Sequence, residues 1–155
     1  MGGGYWLNAL RPGAGGRLER VKYYIADTRD IFEYAELLSG RVDQPGDVSV
    51  DCLEPMRIDG NTQKQDCHEP KAVLAALEWL KAMAGKDIPE NARFRDKLVS
   101  LIVATSREKY RSQPLLTFLE WDLNGMLALA READAEGLVL ACVFRAMVSG
   151  ESGRS

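Results

Sequence analysis

The chain has 155 residues, with 20 Lys and Arg against 23 Asp and Glu and a formal net charge of −3. Apolar residues make up 46% and charged residues 28%, which excludes a disordered or collagen-like chain. No apolar run approaches the roughly 20 residues that span a bilayer, and the first one, Tyr5–Leu10, is too short and lacks the basic flank of a secretory signal.

These bounds predict one soluble, cytoplasmic domain. Cys52, Cys67 and Cys142 are too few, and odd in number, for a disulfide framework, which fits a reducing compartment. Residues 1–16 read as a glycine-rich arm. Within it Tyr5–Leu10 is a short strand or extended segment, and Arg11–Gly16 is a loop on its Pro and Gly content. Residues 17–150 read as a single helical domain and 151–155 as a tail.

The first helix is expected from Arg17 to Ser39, because Leu18, Val21, Ile25, Phe32, Ala35 and Leu38 recur at helical spacing. Gly40 is placed to end it. Residues 41–67 lose that pattern. Asp47–Cys52 alternates as a short strand would, and Asp59-Gly60 is a turn dipeptide that could join two ribbons. A second helix is expected over Pro70–Ala84, with Pro at its start and Gly85 at its end. The third follows Pro89 to about Arg111 and the fourth runs from Pro114 to about Glu132. A fifth spans Ala135 to Val148, or joins the fourth as one helix bent at Gly137. Trp79 and Trp121 fall within helical stripes and read as core.

The architecture these elements predict is all-α, a four- to five-helix bundle with an irregular acidic insertion. The alternative is an α+β fold with a small hairpin, Tyr5–Leu10 pairing with Asp47–Cys52.

His68 is the only histidine, so metal sites and triads built on histidine lack their ligands and base. Cys67 and His68 are adjacent, and in regular structure adjacent side chains diverge. A helix starting just after Cys67 would lower its thiol pKa. The loop Gly13–Arg17 lacks the Lys-Ser or Lys-Thr of a phosphate loop. No catalytic residue, cofactor or metal site is predicted.

Charge is unevenly placed. Residues 26–69 carry 4 basic and 11 acidic side chains, whereas residues 91–112 carry 6 basic and 2 acidic. On a continuous helix that turns about 100° per residue, Arg93, Lys97, Arg107 and Arg111 share one face within about 40° of Arg93. Tyr5 and Trp6 are large aromatics in the arm: either the arm docks on the bundle, or the pair anchors a partner.

The function this pattern predicts is a non-enzymatic helical protein-interaction module: an adaptor, inhibitor or assembly subunit. Its acidic partner-binding residues would be Asp43, Asp47, Asp51, Glu54 and Asp59. The basic face at Arg93, Lys97, Arg107 and Arg111 would meet an acidic surface. The alternative is a nucleic-acid backbone-binding subunit using that basic stripe. No membrane contact is expected. An exposed apolar stripe would make a homodimer.

Overall fold

The computed structural model describes residues 4–24, 28–57 and 66–145. Among them the order of elements is β1 (Gly4–Pro12), β2 (Leu18–Tyr24), α1 (Arg29–Leu38), β3 (Met56–Arg57), α2 (Pro70–Ala84), α3 (Pro89–Val99), α4 (Arg107–Arg111), α5 (Leu115–Glu136) and β4 (Val139–Arg145). The four strands form one mixed sheet in the order β2-β1-β4-β3. The fold is therefore α+β, and the all-α expectation is overturned.

Three local causes explain the difference. The first lies in Leu18–Tyr24, read as the start of a helix. It pairs antiparallel with β1, and the register slips between Ala9 and Leu10, so that Ala9 faces Lys22 while Leu10 faces Arg20. Val21 is the extra residue of a bulge. The bulge erases the two-residue alternation and leaves Leu18 and Val21 at a spacing that imitates a helix. The true helix, α1, begins only after Thr28.

The second lies at Gly137. Its backbone is left-handed, with φ 71°, and its N–H bonds to Ala133 O, which closes α5. Only glycine adopts this conformation at little cost. The expected fifth or bent helix is instead β4. Leu140, Ala141, Cys142 and Val143 are each at most 3% exposed, so this continuous apolar run is a central strand buried on both faces.

The third lies after Val99. The sequence Leu101-Ile102-Val103-Ala104-Thr105 carries three β-branched residues, which resist helix. α3 stops at Val99, a 3-10 turn covers Ala104–Ser106, and α4 restarts at Arg107.

The segment read as an arm contains the central strand β1, which pairs with β2 on one side and β4 on the other. The hairpin alternative named the strand at Tyr5–Leu10 but not its partners. Asp47–Cys52 is turn and loop leading into a 3-10 turn at Asp51–Leu53. Asp59-Gly60 and residues 151–155 lie outside the described residues.

The main core sits between one face of the sheet and the helices. Leu7, Ala9, Leu140 and Cys142 meet Val73, Leu77 and Leu80 of α2 and Leu119, Leu123 and Met126 of α5, with Ile31, Tyr34 and Leu38 of α1 closing the side. A smaller cluster on the opposite face gathers Leu10, Ala141 and Val143 under Trp6, Leu18, Met56 and Cys67. Trp79 packs against the main core, whereas Trp121 is 82% exposed, contrary to expectation. No described helix is long and apolar enough to cross a membrane.

Candidate functional site

Helix α1 is amphipathic. Ile31, Tyr34, Ala35 and Leu38 are buried, which leaves Glu33 and Glu36 on its outer side. A hollow opens on each side of it. Between α1 and α3 lies a cleft of about 430 Å³, lined by Glu33, Glu36, Leu37, Arg41, Arg93, Phe94 and Lys97. On the other side lies a groove of about 310 Å³, which Glu36 shares with Asp51 and Glu54.

The α1–α3 cleft is held in shape by one buried side chain. Asn91 is 5% exposed. Its Oδ1 accepts from the Tyr34 hydroxyl at 2.6 Å, and its Nδ2 donates to Met83 O at 2.7 Å and to Lys86 O at 2.8 Å. It thereby ties α1, the end of α2 and α3 together. Burial pushes the Tyr34 hydroxyl well above the usual tyrosine range, so it remains a donor. The Tyr34 and Phe94 rings meet at 5.5 Å beneath the cleft.

Three cations face the cleft. Lys97 Nζ bonds to Glu33 Oε1 at 2.8 Å and lies over the Phe94 ring. Arg93 and Arg41 line the same space, and neither has an ion-pair partner among the described residues. Arg41 follows Gly40, whose φ of 79° turns the chain out of α1. Sequence reasoning missed Arg41 because it lies in the acidic stretch, 52 positions before Arg93 in the numbering. Only the packing of α1 on α3 brings them together.

The predicted four-residue stripe is not one surface. Arg93 and Lys97 stay together on α3. Arg107 turns inward, donating to Ile102 O at 2.9 Å and Ser100 O at 3.2 Å, where it satisfies carbonyls freed by the end of α3. Arg111 pairs with Glu108 at 2.6 Å within α4. The helix break is the cause, since it removes the common axis on which the stripe was plotted.

The predicted acidic residues also divide. Asp51 and Glu54 enter the groove beside α1, whereas Asp43 and Asp47 are exposed on the preceding loop. Asp59 lies outside the described residues. Tyr5 and Trp6 are half-buried within β1. Tyr5 stacks on Phe144 at 5.6 Å with the Arg29 guanidinium over its ring. Trp6 packs on the smaller cluster, its Nε1 buried without an acceptor.

None of the three cysteines is in a disulfide. The lowering that a following helix would bring to Cys67 is outweighed: burial, with the Asp66 carboxylate beside it, pushes the thiol up to about 11. Native Cys67 is therefore expected to react with iodoacetamide at neutral pH about a hundredfold more slowly than an unperturbed thiol. Mass spectrometry of the alkylated protein checks this, and labelling at the rate of a free thiol would contradict it. His68 exchanges backbone bonds with Leu140 at the sheet edge, at 2.7 and 2.9 Å. No group of three or more metal-binding side chains occurs among the described residues.

No family model matches the chain, and no curated protein or solved structure is similar enough to it to count as a match.

Proposed function

We propose that the chain is a non-enzymatic binding protein that holds the phosphate backbone of a nucleic acid in the α1–α3 cleft. The observation that carries this reading is the convergence of Arg41, Arg93 and Lys97 on one cleft, beside Glu33 and Glu36, in which neither guanidinium has an ion-pair partner among the described residues. A guanidinium presents a fork that matches two phosphate oxygens. The aromatic ring at the site, Phe94, is only 4% exposed, so it offers no face on which a base could stack. Recognition is therefore of backbone and not of sequence.

Three phosphate contacts predict a slope of about −2 in log affinity against log salt for a single strand. Between about 50 and 200 mM salt the affinity is expected to fall roughly twentyfold. Fluorescence anisotropy of a labelled oligonucleotide measures this. The Arg41→Ala/Arg93→Ala variant should bind weakly and lose more than half of the slope. Salt-independent binding, or a variant that binds like the parent, would overturn the proposal.

A second reading rests on the acidic groove. Asp51 and Glu54 lie across α1 from the cations, in a groove shared with Glu36, which borders both hollows; this supports docking of a protein with a basic patch. On that reading Asp51→Asn/Glu54→Gln weakens capture of a basic protein and leaves oligonucleotide binding unchanged or slightly tighter.

A further inference from the structure

β2 is an edge strand. It is seven residues long, and among the described residues it pairs with β1 alone. Glu19, Arg20, Val21 and Tyr23 are exposed along it. The outer side of such a strand presents backbone N–H and C=O groups to another chain. Three of the five large hydrophobic side chains exposed among the described residues gather at this edge: Val21, Tyr23 and Trp121. Trp121 stands at the end of β2. Its carbonyl accepts from the Tyr24 hydroxyl at 3.5 Å, and that hydroxyl also donates to Asp122.

The bulge gives β2 a face pattern that fits a second β2. Glu19 lies opposite Arg11 and Lys22 opposite Ala9, so both point to the helix side of the sheet. Leu18 and Tyr23 lie opposite Pro12 and Asn8, so both point to the other side. In an unbroken strand, residues three or five apart point to opposite faces. The extra residue, Val21, removes that mismatch. Two β2 strands can therefore pair antiparallel about a twofold axis between Arg20 and Val21. In that register Glu19 of one copy opposes Lys22 of the other on the helix side, and Leu18 opposes Tyr23 on the far side.

Charge selects the same register. It sets Arg17 of one copy opposite Tyr24 of the other, beside Trp121. Arg17 is exposed and has no ion-pair partner among the described residues. The flank it approaches is acidic: Asp122, Glu132 and Glu136 surround Lys22 and Tyr24. A guanidinium over the Trp121 ring gains a cation–π contact as well. Charged residues on an edge strand discourage arbitrary pairing; here each meets its complement only in a second copy of the same strand.

We propose that the chain forms a homodimer through β2, which joins two sheets into one across a twofold axis. The inference does not rest on the α1–α3 cleft. An edge of this length makes a small, reversible interface.

Sedimentation velocity of the full chain over about 1–300 μM tests it, and the protein is expected to pass from monomer to dimer across that range. Trp121→Ala and Arg17→Glu change exposed side chains, so both should fold as the parent does. Each should weaken dimerisation about tenfold or more, because the twofold axis doubles the effect of one substitution. Arg41→Ala/Arg93→Ala should dimerise like the parent. The register has its own readout. A mixture of Glu19→Cys and Lys22→Cys proteins in glutathione disulfide should give a disulfide-linked dimer, and the parent protein should not. A chain that stays monomeric throughout would overturn the proposal and leave the edge to a strand from another protein. A dimer indifferent to both Trp121→Ala and Arg17→Glu, or a mixture that does not cross-link, would overturn it too.

Discussion

Replacing Asn91 with alanine is expected to lower stability by about 3–4 kcal/mol, the cost of stranding several buried polar groups at once. Asn91 satisfies the Tyr34 hydroxyl and the carbonyls of Met83 and Lys86. Alanine leaves all three without it and opens a small void between α1, α2 and α3. Tyr34→Phe removes only the hydroxyl and should cost about 1–2 kcal/mol. In the double variant the two losses should not add, because the Tyr34–Asn91 bond is counted in each. Urea denaturation of the four proteins measures this. A loss below about 1 kcal/mol for Asn91→Ala would show that the carbonyls find other donors. The same substitution should weaken oligonucleotide binding, since Arg93 sits two residues further along the helix that Asn91 anchors.

Gly125→Ala is expected to destabilise the protein by about 2–3 kcal/mol, although alanine is the better helix former by about 1 kcal/mol. The Tyr24 ring lies directly on Gly125, and an added Cβ would fall inside it. Tyr24 also donates its hydroxyl to Asp122 Oδ1 at 2.9 Å, and Lys22 pairs with Glu132 and Glu136. These contacts fasten edge strand β2 to α5, so displacing the ring loosens the joint between sheet and helix. The melting temperature should fall by roughly 5–10 °C. In a Tyr24→Ala background the sign should reverse: Gly125→Ala becomes neutral or stabilising by up to about 1 kcal/mol. A stabilising effect in the parent protein would contradict this packing.

The parts of the fold legible in the sequence were those whose signals are local. Pro70 and Gly85 bracket α2, and the stripe Leu119, Leu123, Met126, Leu127 and Ala130 marks α5. The misread parts depend on tertiary structure. The bulge at Val21 exists only because β2 pairs with β1, and it replaced alternation with a helix-like spacing. The run Leu138–Phe144 is apolar on both sides because both faces of β4 are covered, and such a run carries no period to read.

The candidate site divides in the same way. Arg93 and Lys97 were legible because they lie one turn apart on a single helix. Arg107 and Arg111 were misassigned because the plotted axis does not continue past Val99. Arg41 had no local mark at all, and neither had Asn91, since a buried asparagine is recognised by its partners and not by its neighbours in the chain. Cys67 is half-buried against the sheet face, and that burial, which has no local mark in the sequence, opposes the lowering that a following helix would bring.

In the proposed function the cations of the α1–α3 cleft meet phosphate, with Glu33 and Glu36 as internal competitors. The most direct measurement is the affinity of Glu33→Gln/Glu36→Gln for a single-stranded oligonucleotide at about 50 mM salt, where screening is weak. Removing these carboxylates frees Lys97 and takes negative charge from the cleft, so the variant is predicted to bind severalfold more tightly and with a steeper salt dependence. Weaker or unchanged binding would contradict the account.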